Sequence, residues 1–350
     1  MNENGEKRTE VHQLGEFGLI ERITGDFKNK HESTQFGIGD DAAVLKGDDK
    51  LTVVSTDLLI EGVHFDLMYA PMKHLGYKAV VVNLSDIYAM NGKPEQITVS
   101  LGLSNRFPVE AVEELYEGVK AACDFYNVDL VGGDTTSSNK GLVISVTAIG
   151  VVSEEDITFR NGAKENDLIC VSGDLGAAYL GLQLLEREKM VYLKNPGVQP
   201  DFSGKDYLVG RQLKPEARMD VVAKLQELDI QPSSMMDLSD GLSSDLRHIA
   251  KASEVGARIF EAQLPIAQDT YNQALDFNID PTTCALHGGE DYELLFTIHP
   301  KDAGKITDAD SNISIIGEVT NKDVGLVLET KGGRTVDLIA DGWTHFSDEE

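Results

Sequence analysis

The residues best suited to chemistry in this sequence are aspartates set among glycines and hydroxyl side chains. They stand in Gly39-Asp40-Asp41, Ser55-Thr56-Asp57, Leu84-Ser85-Asp86, Gly132-Gly133-Asp134 and Asp237-Leu238-Ser239-Asp240-Gly241. Several follow an apolar run, and a carboxylate at a strand end projects into the crevice where α/β folds bind ligands. Hard oxygen donors with hydroxyls and backbone carbonyls beside them suit Mg²⁺. Taken singly, each motif also reads as a turn or a helix cap. Asp86, three residues after Asn83 in an apolar helix, also reads as part of a solvated face. Their recurrence beside small residues favours a shared metal site.

Anion-binding signals are weaker. The sequence has no GxxxxGK[ST] loop and no GxGxxG after a strand. Ser172-Gly173-Asp174-Leu175-Gly176 either offers backbone N–H groups to an anion or is a plain glycine turn. Arg160 and Arg218 are candidate cation clamps, or solvated arginines. Near so few basic residues, an ATP site needs metal ions to neutralise phosphate. His287-Gly288-Gly289-Glu290-Asp291-Tyr292-Glu293-Leu294 either presents Glu290 to a polar ligand or enters a hairpin. Trp343, the only tryptophan, is a core anchor or a stacking surface. His64 reads by default as a structural histidine, and no Ser/His/Asp or Cys/His triad can be assembled. A calcium loop beginning at Asp308 fails, with Ile313 where glycine is needed and Val319 where glutamate is needed.

The elements that must position these residues alternate. Leu51–Ser55 and Gly141–Val152 are β-branched runs and read as strands. His74–Met90 reads as a helix stopped by Asn91-Gly92 and Lys93-Pro94. Val109–Tyr126, with Pro108 at its start, carries apolar residues at helical spacing, and the short strand Val128–Val131 follows. Further strands are expected at Asp167–Ser172 and Glu293–Ile298, and helices at Ala177–Leu185, Met219–Leu228 and Leu242–Ala252. Residues 194–210, rich in proline, glycine and polar side chains, read as a surface excursion. The alternation indicates α/β or α+β layers, and a boundary is expected near residues 153–165.

The 350 residues carry 31 Lys+Arg against 59 Asp+Glu, a net charge of −28. A surface this negative repels nucleic acid and anionic membrane, so neither is an expected partner. The polar start of the chain lacks a signal peptide, and no apolar run is long enough to span a bilayer. Cys123, Cys170 and Cys284 show no metal or disulfide spacing and read as buried thiols of a cytoplasmic protein.

Together, GIGDDAAV (37–44), STDLLIEGVHF (55–65), NLSDIYAM (83–90), VGGDTT (131–136), SGDLG (172–176), MDLSDGLSSDL (236–246) and GGEDYEL (288–294) give a specific pattern. From Gly15 to Phe346 the chain resembles the thiamine-monophosphate kinases, within the superfamily of aminoimidazole ribonucleotide synthetase and selenophosphate synthetase. The resemblance implies a two-domain α/β (α+β) fold of aminoimidazole ribonucleotide synthetase type. It implies an N-terminal ATP- and Mg-binding and dimerisation domain over residues 1–157, whose sheet pairs across a homodimer. It also implies a C-terminal α/β domain over residues 158–350 that completes the nucleotide and substrate cleft.

The resemblance further implies ATP-dependent phosphorylation of thiamine monophosphate to thiamine diphosphate. Magnesium ligands would be Asp41, Ser55, Thr56, Asp57, Asp86, Asp134, Asp237 and Asp240, with Asp57, Asp86 and Asp134 closest to the chemistry. Nucleotide would be held by Tyr116, Gly133, Asp134, Arg160 and Ser239, and thiamine phosphate by His64, Glu290 and Trp343. The sequence departs from the pattern at Ala89-Met90-Asn91-Gly92, one residue longer than the usual AMG, and at Ala177-Ala178, where an Asp-Ser pair is frequent. Selenophosphate synthetases fit less well, because their reactive residue lies in a glycine-rich N-terminal segment and the first cysteine here is Cys123. Aminoimidazole ribonucleotide synthetase itself lacks the combined EGVHF and GGEDYEL context. A non-catalytic metal- or nucleotide-binding module is the alternative from another class.

Overall fold

A computed structural model describes residues 14–24, 29–307 and 312–338. It contains two sheets, one in each half of the chain. After helix α1 (Gly15–Thr24), the first sheet is built from β1 (Thr34–Phe36), β2 (Ala43–Lys46), β3 (Leu51–Ile60), β4 (Lys93–Leu103), β5 (Asp129–Ser137) and β6 (Val143–Val152). Their spatial order is β1-β2-β3-β6-β4-β5. Neighbours are antiparallel except β4 and β5, which are parallel. A parallel pair needs a crossover connection, and helix α3 (Val109–Tyr126) supplies it. Strand β6 alternates buried and partly exposed residues throughout, so one face of the sheet packs and the other is open.

Helix α2 (Met72–Ala89) lies on the packed face and is buried nearly all round. This is why its sequence shows no polar stripe, and why Lys78, Asn83, Ser85 and Asp86 in it are each tied to a neighbouring element or to the helix backbone. Gly76 and Gly118 let α2 and α3 meet backbone to backbone. A Cβ on Gly76 would stand 1.9 Å from the Leu115 carbonyl oxygen, and one on Gly118 would stand 1.9 Å from that of Lys73.

The second sheet has the order β13-β12-β9-β11-β7-β10-β8. Its strands are β7 (Leu168–Ser172), β8 (Ser234–Asp237), β9 (Gly256–Phe260), β10 (Leu294–Ile298), β11 (Ile313–Thr320), β12 (Leu326–Glu329) and β13 (Thr335–Asp337). Helices α4 (Ala177–Lys194), α5 (Asp206–Leu213), α6 (Met219–Glu227), α7 (Leu242–Ser253), α8 (Gln268–Asp276), α9 (Pro281–His287) and α10 (Ala303–Thr307) surround it. One apolar core joins the halves: Leu84 and Ile87 of α2 share it with Met235 of β8 and Phe296 of β10. Among the described residues no helix is long and apolar enough to cross a membrane.

The expected elements are present, with three differences that bear on the site. The short strand expected at Val128–Val131 is β5, which runs on to Ser137 and so carries Gly133 and Asp134. Strand β3 runs on to Ile60 rather than ending at Ser55, because it pairs with β6 over its full length, from Leu51 opposite Val152 to Ile60 opposite Val143. The expected excursion at 194–210 is not all loop. From Asp206 it folds into α5, which buries Leu208 and Gln212.

Candidate active site

The carboxylates converge where α2 meets the β3 face and the end of β8. One ligand atom from each of Asp41, Asp86 and Asp237 can be chosen so that all lie within 4.8 Å of one another. Each is held by a neighbour. Ser55 Oγ donates to Asp86 Oδ2 at 2.5 Å, and Ser85 Oγ donates to Asp237 Oδ2 at 2.6 Å. Arg160 forks onto Asp41, with Nε on Oδ2 at 3.0 Å and Nη2 on Oδ1 at 2.7 Å. Its backbone N–H donates to Asp40. The Asp57 N–H donates to Asn83 Oδ1 at 2.9 Å, while Asn83 Nδ2 donates to the Ala79 carbonyl. Asn83 and Asp86 do share a face, as their spacing requires, but that face is packed on β3 and not solvated.

Burial and mutual repulsion raise the proton affinity of this group. Asp86 is pushed well above the usual carboxylate range, first by desolvation and then by Asp57, Asp237 and Asp41. Asp237 is raised to about 7 by burial and by Asp41. Asp40 is raised to about 7 by burial and by Asp41, against the opposing pull of its hydrogen bond from Arg160. Carboxylates that would sooner bind a proton than stay ionised beside one another form a site that a hard cation satisfies. The donor set of oxygens with adjoining hydroxyls therefore fits a divalent ion such as Mg²⁺.

A second set of contacts brings Glu290 beside this group. The Glu290 N–H donates to the Ser239 carbonyl at 2.8 Å and that of Tyr292 to the Leu238 carbonyl at 2.9 Å, so the 288–293 and 237–241 loops zip together. The approach is close enough to need glycine: a Cβ on Gly289 would lie 2.6 Å from the Ser239 oxygen. Glu290 and Tyr292 both adopt left-handed backbone, at φ 64° and 51°. Such strain is maintained only where the surroundings over-determine it. Here Asp291 accepts from the Gly176 N–H at the start of α4, and Arg211 of α5 pairs with Asp291 and, at 2.7 Å, with Glu293. The Ser172–Gly176 segment thus binds an anion, but that anion is the protein's own Asp291 carboxylate.

Other expected residues are placed differently. Side chains alternate along a strand, so Ser55 and Asp57 face α2 while Thr56 faces the open side. There Thr56 Oγ1 meets the Val146 carbonyl and Thr147 Oγ1, each at 3.0 Å. Asp134 is exposed on β5, opposite Ser100 of β4, which is opposite Ser145 of β6. This register puts Asp134 on the open face with Thr56, away from the Asp41–Asp86–Asp237 group. Gly133 has a structural reason to be glycine, since a Cβ there would lie 1.8 Å from the Val99 carbonyl oxygen. Tyr116 is partly buried against the core on α3. His64 Nδ1 accepts the Ile60 N–H at 2.9 Å. Asp240 begins the turn into α7, where its own N–H donates to Asp245. Trp343 lies outside the described residues.

Sequence reasoning passes over Lys78, Arg211 and Gln212. Lys78 carries a usable signal, as a polar residue in a helix otherwise largely apolar. Arg211 and Gln212 carry none, because they follow directly on the 194–210 stretch that reads as a surface excursion and belong to no motif.

Residues 39–152 match the AIR synthase related protein N-terminal domain, and residues 164–329 match the corresponding C-terminal domain. The chain is 39% identical over 292 residues to the thiamine-monophosphate kinase of Aquifex aeolicus, covering 83% of this chain and 88% of that one. It is 34% identical over 338 residues to that of Bacillus subtilis, covering 95% and 100%. The chain belongs to the thiamine-monophosphate kinase family of AIR synthase related proteins. A solved structure of AaThiL complexed with AMPPCP and TMP matches with a TM-score of 0.84 and 34% identity, covering 97% of this chain and all of that one. The two-domain architecture expected from the motifs is the architecture of this family. Of the motifs that carry the resemblance, those holding Asp41, Ser55, Asp57, Asp86 and Asp237 meet at the carboxylate group and GGEDYEL forms the Glu290 loop, while VGGDTT lies on the open face.

Proposed function

We propose that this enzyme transfers the γ-phosphoryl group of ATP directly and in line to thiamine monophosphate, giving thiamine diphosphate. The observation that carries the reading is the convergence of Asp41, Asp86 and Asp237 on one another beside Arg160, in a chain of this family. The acceptor is the substrate's own phosphate oxygen, which is ionised at neutral pH, so no general base is needed. The chain's work is alignment and charge management. Asp41, Ser55, Asp57, Asp86, Asp237 and Asp240 would hold Mg²⁺ at the carboxylate group, and Thr56 and Asp134 would hold it separately on the open face of the sheet. When bound, Mg²⁺ neutralises charge on the phosphates.

Asp57, Asp86 and Asp134 are assigned to catalysis in this reading, the first two on the α2-facing side of the sheet and Asp134 on its open face. Tyr116, Gly133, Asp134, Arg160 and Ser239 would hold the nucleotide, and His64, Glu290 and Trp343 the thiamine moiety. Residues 1–157 form the nucleotide, metal and dimerisation unit in this assignment, and residues 158–350 complete the cleft. The homodimer is supported by β5, an edge strand exposed along its whole length with Leu130 and Val131 open to solvent. A long unpaired edge is a template for pairing with another chain. The setting is cytoplasmic, in keeping with three buried free cysteines.

The test is release of ADP from ATP and Mg²⁺ in the presence of thiamine monophosphate, thiamine or no acceptor. Only thiamine monophosphate should support turnover, and Asp57→Asn and Asp86→Asn should each lower it by at least about 10³-fold with the fold retained. Turnover on thiamine but not its phosphate, or near-native rates in either variant, would overturn the reading.

A further inference from the structure

A cavity of about 20 Å³ opens between α2 and α5, lined among others by His64, Phe65, Tyr69, Lys78, Gln212 and Leu213. Two polar residues at its wall are almost fully buried, Lys78 at 4% and Gln212 at 4% exposure. Both are tied to Glu290. Lys78 Nζ donates to Glu290 Oε2 at 3.0 Å and to the Gln212 carbonyl at 3.0 Å, and Gln212 Nε2 donates to the same Glu290 oxygen at 2.5 Å. Only the amide nitrogen of a glutamine can donate to a carboxylate, so Glu290 fixes which way the Gln212 amide lies. That leaves Gln212 Oε1 buried with no hydrogen-bond partner among the described residues.

A buried acceptor without a donor is costly and rare in a native structure, and it marks a place for a ligand or an ordered water. The cavity admits one group the size of a water. It is a subsite for a single donor group, not for a whole ring or a phosphate. Resting on the proposed function, we infer that this cavity takes the exocyclic amino group of the substrate's aminopyrimidine. Gln212 Oε1 accepts its N–H and so determines specificity, and Lys78 acts as a positioning residue. The arrangement has a directional consequence. A substrate bearing a carbonyl oxygen in place of the amino group would set acceptor against acceptor. The amide cannot rotate to relieve this without turning its own oxygen onto the Glu290 carboxylate.

The test compares thiamine monophosphate with its 4-oxo analogue, in wild type and in Gln212→Met and Gln212→Leu. Wild type should favour the amino substrate by about 10²-fold in kcat/KM, since a site built around one hydrogen bond rejects the analogue that cannot make it. In the variants the ratio should fall to within about 3-fold, with KM for thiamine monophosphate raised about 10-fold and kcat nearly unchanged. Calorimetric binding of ADP and of thiamine monophosphate reports on folding and on the subsite separately. Equal use of the two substrates by wild type, or discrimination retained in the variants, would overturn the inference and leave the kinase reading standing. No turnover of thiamine monophosphate by wild type would instead remove the reading beneath it.

Discussion

Replacing Asp237 by asparagine should stabilise the metal-free protein while removing its activity. The carboxyl of Asp237 is raised from its ordinary 3.8 to about 7, mainly by burial and then by Asp41. Between those two values the folded protein holds a proton that the unfolded chain has released. Stability is therefore lost as pH rises through this window, and the loss is complete above about pH 7. At about 1.4 kcal/mol per pKa unit the full cost is about 4 kcal/mol. A direct estimate has the same scale: two full charges at the 4.8 Å limit of this group interact by about 3 kcal/mol at an effective dielectric constant of about 20. Asparagine keeps an acceptor for Ser85 Oγ, which donates to this side chain at 2.6 Å in the native protein, and removes the charge. In a chelator, urea midpoints of wild type and Asp237→Asn should nearly coincide at about pH 4 and separate by about 2–4 kcal/mol in favour of the variant at about pH 8. Added Mg²⁺ should stabilise wild type by mass action and the variant much less, narrowing or reversing the gap. A variant less stable than wild type at high pH in chelator, or a gap that does not change with pH, would refute the account of the site as a frustrated carboxylate group relieved by a cation.

Two further outcomes follow from packing. Gly118→Ala should destabilise by at least about 3 kcal/mol, because the new Cβ would stand 1.9 Å from the Lys73 carbonyl oxygen and 2.8 Å from the Tyr77 nitrogen. Denaturant unfolding measures it, and a loss under about 1 kcal/mol would show that α2 and α3 separate easily. The cysteines should be inert in the native protein, since burial raises Cys123 and Cys284 to about 11 and raises Cys170 further. A chromogenic disulfide reagent near pH 8 should label almost none until denaturant is added, and prompt labelling of native protein would contradict that burial.

Local patterns carried as much of this structure as local forces decide. Helix α3 begins and ends where its sequence says, at Val109 and Tyr126, because Pro108 enters it in extended backbone and Asn127 leaves it at a left-handed φ of 54°. The same kind of pattern ends strand β3 too early, at Ser55. Threonine and aspartate after an apolar run look like a strand end, yet the ten-residue register with β6 carries the strand past them. The longer strand has a chemical consequence, for only an uninterrupted strand sends Ser55 and Asp57 to one face and Thr56 to the other. The aspartate motifs were legible because their composition is unusual. The support beneath them was not, because Lys78 and Gln212 lie 134 positions apart and neither belongs to a motif.

The net charge of −28 takes on a local meaning in this light. Phosphate-bearing ligands approach a strongly acidic molecule only if the sign of the potential is inverted where they bind. Arg160 alone does not achieve this, because both arms of its fork are spent on Asp41. The Ser172–Gly176 turn does not achieve it either, since the Gly176 N–H is spent on the Asp291 carboxylate. Nor does Lys78, which is committed to Glu290. Each of these cationic or donor groups is already paired with a carboxylate. On the proposed function the inversion falls to divalent cations held by the remaining acids, and the aspartates, not the basic residues, then mark this site in the sequence.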